Sequence, residues 1–139
     1  MRPFALLVSL LLLGACASPL PQADPDKAWI DLKGSGIDLL MADRLDRERV
    51  NDGRYFQVTP GAHELDMRYQ FEVSGGGGGA FMSEPRQMTC DIRIQYDHFA
   101  AGQRYRVEAR SLVMRGQAIL YDAERNVLAR GKNLRCGTF

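Results

Sequence analysis

Asp97, His98 and Ser111 are the residue types from which a hydrolase assembles an acid, a base and a nucleophile. Their setting does not favour that chemistry: Asp97 and His98 are adjacent, and Ser111 lies in no Gly-x-Ser-x-Gly turn. His63 follows Pro60-Gly61 at the head of an alternating segment, where a structural turn residue is expected. The chain has 2 histidines and 3 cysteines, with no Cys-x-x-Cys pair. No catalytic residue, metal site or cofactor is therefore expected. Ser74 to Ala80 reads SGGGGGA, which offers backbone for a phosphate cradle but lacks the Lys-Ser/Thr that completes a P-loop. A flexible hairpin loop is expected there instead. Its neighbours make it the expected partner contact, through Gly77, Phe81, Met82 and Arg86, because a mobile segment with an aromatic beside an arginine suits an interface anchor.

Charge narrows the classes further. Lys+Arg 18 against Asp+Glu 17 leaves no cation surplus to displace counterions from nucleic-acid phosphates. Arg104, Arg106 and Arg110 form a stripe that could read acidic glycans or lipid phosphates, but Glu108 interrupts it. A solvated sheet face is expected, with Asp91 and Arg93 on another strand pairing across their sheet.

Residues 1–16 read MRPFALLVSLLLLGAC: Arg2 precedes an apolar run from Phe4 to Leu13. That run is about ten residues, against the roughly 20 a membrane-spanning helix needs, so it reads as a secretory signal peptide. Leu13-Gly14-Ala15-Cys16 resembles the lipobox of bacterial lipoproteins. The resemblance implies a signal over residues 1–15, cleavage before Cys16 and diacylation of its sulfur; the alternative is a conventional cut after Ala15 or Ala17. Two acyl chains give stable anchoring. Ala17 and Ser18, rather than an aspartate, follow the cysteine, so the resemblance further implies the periplasmic face of the outer membrane. Cys90 and Cys136 then remain as an even pair in an oxidising compartment, where a disulfide is expected.

The elements that would carry these residues start after a tether. Pro19, Pro21 and Pro25 exclude helix over residues 16–27 and favour an extended segment. At roughly 3.3 Å per residue it would reach up to about 35 Å from a bilayer. From Ala28 onward the dominant period is two. His63, Leu65, Met67, Tyr69, Phe71 and Val73 alternate with polar residues, as do Met88, Cys90, Ile92, Ile94 and Tyr96, and then Tyr105, Val107 and Ala109. Weaker strands are expected at 28–33, 53–58, 117–121, 126–130 and 133–137. Residues 37–50 would suit a helix by composition, but strand, turn at Asp46-Arg47-Glu48, strand is the preferred reading. Turn chemistry at 51–53, 60–61, 101–102 and 122–126 is that of connections between antiparallel strands. The whole predicts an all-β, antiparallel, Ig-like sandwich over residues 28–139, of about seven to eight strands with one disulfide.

Val58 to Met67, VTPGAHELDM, resembles the P-G-x-H-x-L-x-V hairpin of PEGA-type domains and related bacterial lipoproteins. Residues 99–107 and the segment from Leu120-Tyr121-Asp122 to Val127-Leu128 resemble later parts of that pattern. The resemblance implies a small sandwich in an envelope protein, without catalytic residues. Two functions are consistent with this. One is a lipid-anchored, non-enzymatic binding or assembly module with an envelope protein partner; the other is a periplasmic inhibitor or scavenger that meets a soluble hydrolase or small ligand.

Overall fold

The computed structural model describes residues 18–75 and 83–139. They form ten strands: β1 (Ala28–Gly34), β2 (Leu39–Leu45), β3 (Glu48–Arg49), β4 (Tyr55–Val58), β5 (Gly61–Gly75), β6 (Ser83–Phe99), β7 (Arg104–Leu112), β8 (Arg115–Tyr121), β9 (Val127–Arg130) and β10 (Lys132–Gly137). Two five-stranded sheets result, ordered β4-β1-β7-β8-β9 and β10-β6-β5-β2-β3. Every ladder is antiparallel except β1 against β7, which pair in parallel. The fold is thus an all-β, antiparallel-rich sandwich. Its strand number exceeds seven or eight because the strand-turn-strand over residues 37–50 adds β2 and β3 to the other eight.

The period-two pattern sets the register. Leu65, Met67, Tyr69 and Phe71 of β5 face Cys90, Ile92 and Ile94 of β6, and all are buried together with Val107, Ala118 and Leu120 of the opposite sheet. Each large apolar side chain buried this way contributes about 1.5–3 kcal/mol, so a one-residue slip is excluded. Residues 37–50 form the strand-turn-strand: Leu45 pairs Glu48 around Asp46 and Arg47, both left-handed with φ 50° and 72°. A two-residue turn of that hand matches the twist of the strands it joins.

Turn chemistry and sheet membership prove to be separate matters. The 51–53, 60–61 and 101–102 turns each carry the chain from one sheet to the other, and of these four expected connections 122–126 alone closes a hairpin within a sheet. The Val58 to Met67 segment is therefore a crossover, β4 ending in one sheet and β5 starting in the other. A further crossing occurs at Gly131, between β9 and β10. Its N–H donates to the Ala118 carbonyl, and a Cβ there would stand 2.6 Å from Ile92. Only glycine lets the chain pass so close to the core.

Cys90 and Cys136 are bonded, as neighbours directly across the β6–β10 ladder. The disulfide staples an edge strand to its own sheet. Leu134 does not share the inward parity of Cys136, as simple alternation requires, but is exposed, because a bulge between Asn133 and Arg135 shifts the register.

Residues 18–27 depart from the expected free tether. Lys27 accepts from the Gly102 N–H, the Asp24 N–H donates to Gln57 Oε1 at 2.8 Å, and Arg54 donates to the Ser18 carbonyl at 2.6 Å. The segment lies along β4. Trp29 has the outward parity of β1 yet is only 4% exposed. Its ring stacks on Tyr55 at 4.2 Å, its indole N–H donates to Asp31, and the Arg104 guanidinium lies over its face. This is a second apolar layer outside the core.

Candidate functional site

The strands place their loops at two ends. One end holds the turns at 46–47, 59–60, 100–102 and 122–126. The other holds the β1–β2 loop at 35–38, the β7–β8 turn at 113–114, the open ends of β5 and β6, and the chain terminus after β10.

At the first end, side chains hold the turns. Asp46 accepts from the Glu64 N–H at 2.9 Å and from His63 Nδ1 at 2.6 Å, while His63 Nε2 faces the Thr59 carbonyl at 2.7 Å. His63 thereby ties two turns together, the turn role its position suggests. Burial raises the Asp46 pKa, but the hydrogen bonds from Glu64 and His63 outweigh it and hold the carboxyl below its ordinary value. Asp122 accepts from the Glu124 and Asn126 N–H groups, and Arg125 reaches Glu108 at 3.2 Å. His98 is exposed here beside Asp97. Ser111 pairs Gly116 near the opposite end, so the strands keep the possible acid, base and nucleophile apart.

The outer sheet faces carry paired charge. Arg93 donates to both oxygens of Asp66, at 2.7 and 2.8 Å, and Asp91 receives Arg68 and Arg135. Asp91 and Arg93 thus do pair across their sheet. On the other sheet Arg104 grips Asp31 in bidentate fashion. Burial opposes ionisation of Asp31, yet the hydrogen bonds from Arg104 and Trp29 hold its carboxyl below the ordinary value. Glu108 is also held low, chiefly by its hydrogen bond from Arg125. The arginine stripe is therefore neutralised at Arg104, while among the described residues the Arg110 side chain bonds Gln117. A shallow groove of about 430 Å³ lies beside it, lined among others by Lys33, Gly36, Glu108, Arg110 and Tyr121.

At the second end large apolar groups are exposed among the polar ones. Ile37 is 94% and Val113 87% exposed, with Leu39, Leu112 and Met114 about half exposed beside them in the same loops. Behind this surface Tyr69 donates its hydroxyl proton to Asp38, which fixes the β1–β2 loop. Burial pushes the Tyr69 hydroxyl far above its ordinary range, and the Asp38 bond adds to it. Gly116 supplies the needed room, since a Cβ there would stand 2.9 Å from the Tyr69 ring.

The predicted contact residues divide accordingly. Arg86 is exposed on β6, opposite Val73, near this apolar end. Gly77, Phe81 and Met82 lie outside the described residues, as does Cys16. Ile37 and Val113 escaped sequence reasoning, although the run Leu112-Val113-Met114 in a turn is the signal that marks them. Among the described residues no group of three or more His, Cys, Asp or Glu is placed to hold a metal. No described helix is long and apolar enough to cross a membrane. Comparison with protein families, characterised proteins and solved structures finds no match. The site rests on its own geometry.

Proposed function

We propose that the chain is a bacterial envelope lipoprotein, cut before Cys16, diacylated there and held on the periplasmic face of the outer membrane. Its sandwich serves as a non-enzymatic binding or assembly module that meets an envelope protein through Arg86 and the neighbouring Gly77, Phe81 and Met82. The observation that carries this reading is the run Leu13-Gly14-Ala15-Cys16 behind a charged start and a short apolar core. The Cys90–Cys136 bond supports it, because structural disulfides persist mainly in oxidising compartments. Resemblance to PEGA-type domains points the same way.

Fractionation of cells making the chain and its Cys16→Ser variant tests the anchor. The parent chain is expected in detergent-extracted membranes and the variant in the soluble envelope extract. A parent chain that washes off with the soluble extract overturns the reading. Phe81→Ala is expected to weaken co-purification of an envelope partner while leaving the melting transition unchanged.

A further inference from the structure

We propose that the apolar end of the sandwich, built on Ile37 and the Leu112-Val113-Met114 turn, lies on the bilayer surface that holds the lipid, so that the domain leans on the membrane instead of hanging from a tether. The proposal rests on the lipoprotein reading of Cys16. Three observations carry it.

The first is the path of the chain. Followed backwards from Lys27 at Gly102, through Asp24 at Gln57, to Ser18 at Arg54, the segment runs away from the hydrogen-bonded turns and toward the apolar end. Cys16 is two residues from Ser18, which allows about 7 Å of chain. A domain held that closely cannot stand far off the lipid.

The second is the apolar surface itself. Ile37 and Val113 are the most exposed of the large hydrophobic side chains described, and they stand in two loops at one end. Large exposed apolar groups gathered at one end of a small domain mark an interaction surface.

The third is strain. Val113 is left-handed, with φ 57°, in an exposed two-residue turn. A β-branched residue is the least suited to that conformation, and glycine or asparagine would relieve it. Neither burial nor backbone preference favours valine there, whereas insertion into lipid does.

Lys33, Arg86, Arg110 and Arg115 stand near this end without a carboxylate partner among the described residues, but Asp38, Glu72 and Glu84 are near it too. The local charge is nearly balanced. Apolar insertion beside the acyl chains therefore drives the docking, and added salt should leave it largely intact.

The test uses the full chain, purified from membranes and reconstituted in vesicles of phosphatidylethanolamine and phosphatidylglycerol with brominated acyl chains. Val113→Trp and, independently, Ile37→Trp report at the apolar end; Glu124→Trp reports at the other. Bromine is expected to quench the added emission of the first two at least about threefold more than that of the third. Equal quenching at both ends, or none, overturns the docking. Emission that responds to protein concentration and not to brominated lipid identifies a second copy of this chain as the occupant and also overturns it. The mass of the N-terminal peptide from the same vesicles separates the two readings. An acylated chain without quenching sinks the docking alone, an unacylated chain without quenching sinks both, and quenching of an unacylated chain keeps the docking and sinks the lipoprotein reading.

Discussion

Left-handed residues occur at both ends of the sandwich, and their surroundings differ. Asp46 is backed by hydrogen bonds to His63 and Glu64, Arg47 by an ion pair with Glu64, and Arg125 by Glu108 and the Tyr121 face. A left-handed non-glycine residue costs about 1–2 kcal/mol, and bonds worth about 1 kcal/mol each offset it. Val113 has no such backing among the described residues in its exposed turn. One end is arranged for stability in water. The other carries strain and apolar exposure that stability in water does not explain, which is the pattern expected where function sets the residue.

The largest effect should come from the element that serves both ends. Replacing Cys90 and Cys136 by serine, or reducing their bond, frees a loop of sequence separation 46 and should cost up to about 4 kcal/mol. Thermal melting with and without reductant measures it, and both ends should lose hydrogen-exchange protection alike. Protection lost at one end only would show that the ends do not share a core.

Asp46→Ala should be next, at about 1 kcal/mol once the screening of an exposed carboxylate is allowed for. The sign with pH follows from its lowered pKa. Its contribution is complete above the ordinary aspartate value of 3.8 and is lost as pH falls through the lower folded value. Urea midpoints of parent and variant should therefore converge in acid. Midpoints that stay apart would mean that the charge on Asp46 is not what holds the turn.

Val113→Asn should act in the opposite direction, gaining about 0.5 kcal/mol in the urea midpoint while weakening contact with vesicles. A loss of stability instead would place Val113 in the packing. Arg54→Ala should have the smallest global effect. It removes the bond to Ser18, so limited proteolysis within residues 18–27 should accelerate while the melting temperature stays within about a degree.

Alternation made the core legible beforehand. Leu65 through Phe71, Cys90 through Ile94, and Tyr105 through Ala109 are buried as their parity requires, because each strand has one face to give to the core. What parity cannot convey is sheet membership: Pro60-Gly61 signals a reversal whether the next strand pairs beside the last or across the sandwich. Leu134 escapes alternation because a bulge changes parity without a sequence marker. Trp29 shows the same limit on the outer face, where its cover comes from Tyr55 and Arg104 and not from the core. For the site, Arg86 was legible as an exposed residue beside the glycine run. Ile37 and Val113 were not, since an apolar residue in a loop looks like core until the loop is placed.

The central claim, that this domain is carried on lipid at Cys16, is tested most directly by mass spectrometry of the N-terminal peptide from protein extracted from membranes. The account predicts a peptide that begins at Cys16 and carries the mass of a diacylglyceryl group. An unmodified peptide beginning at Ala17 or later, or one retaining Met1, would contradict it.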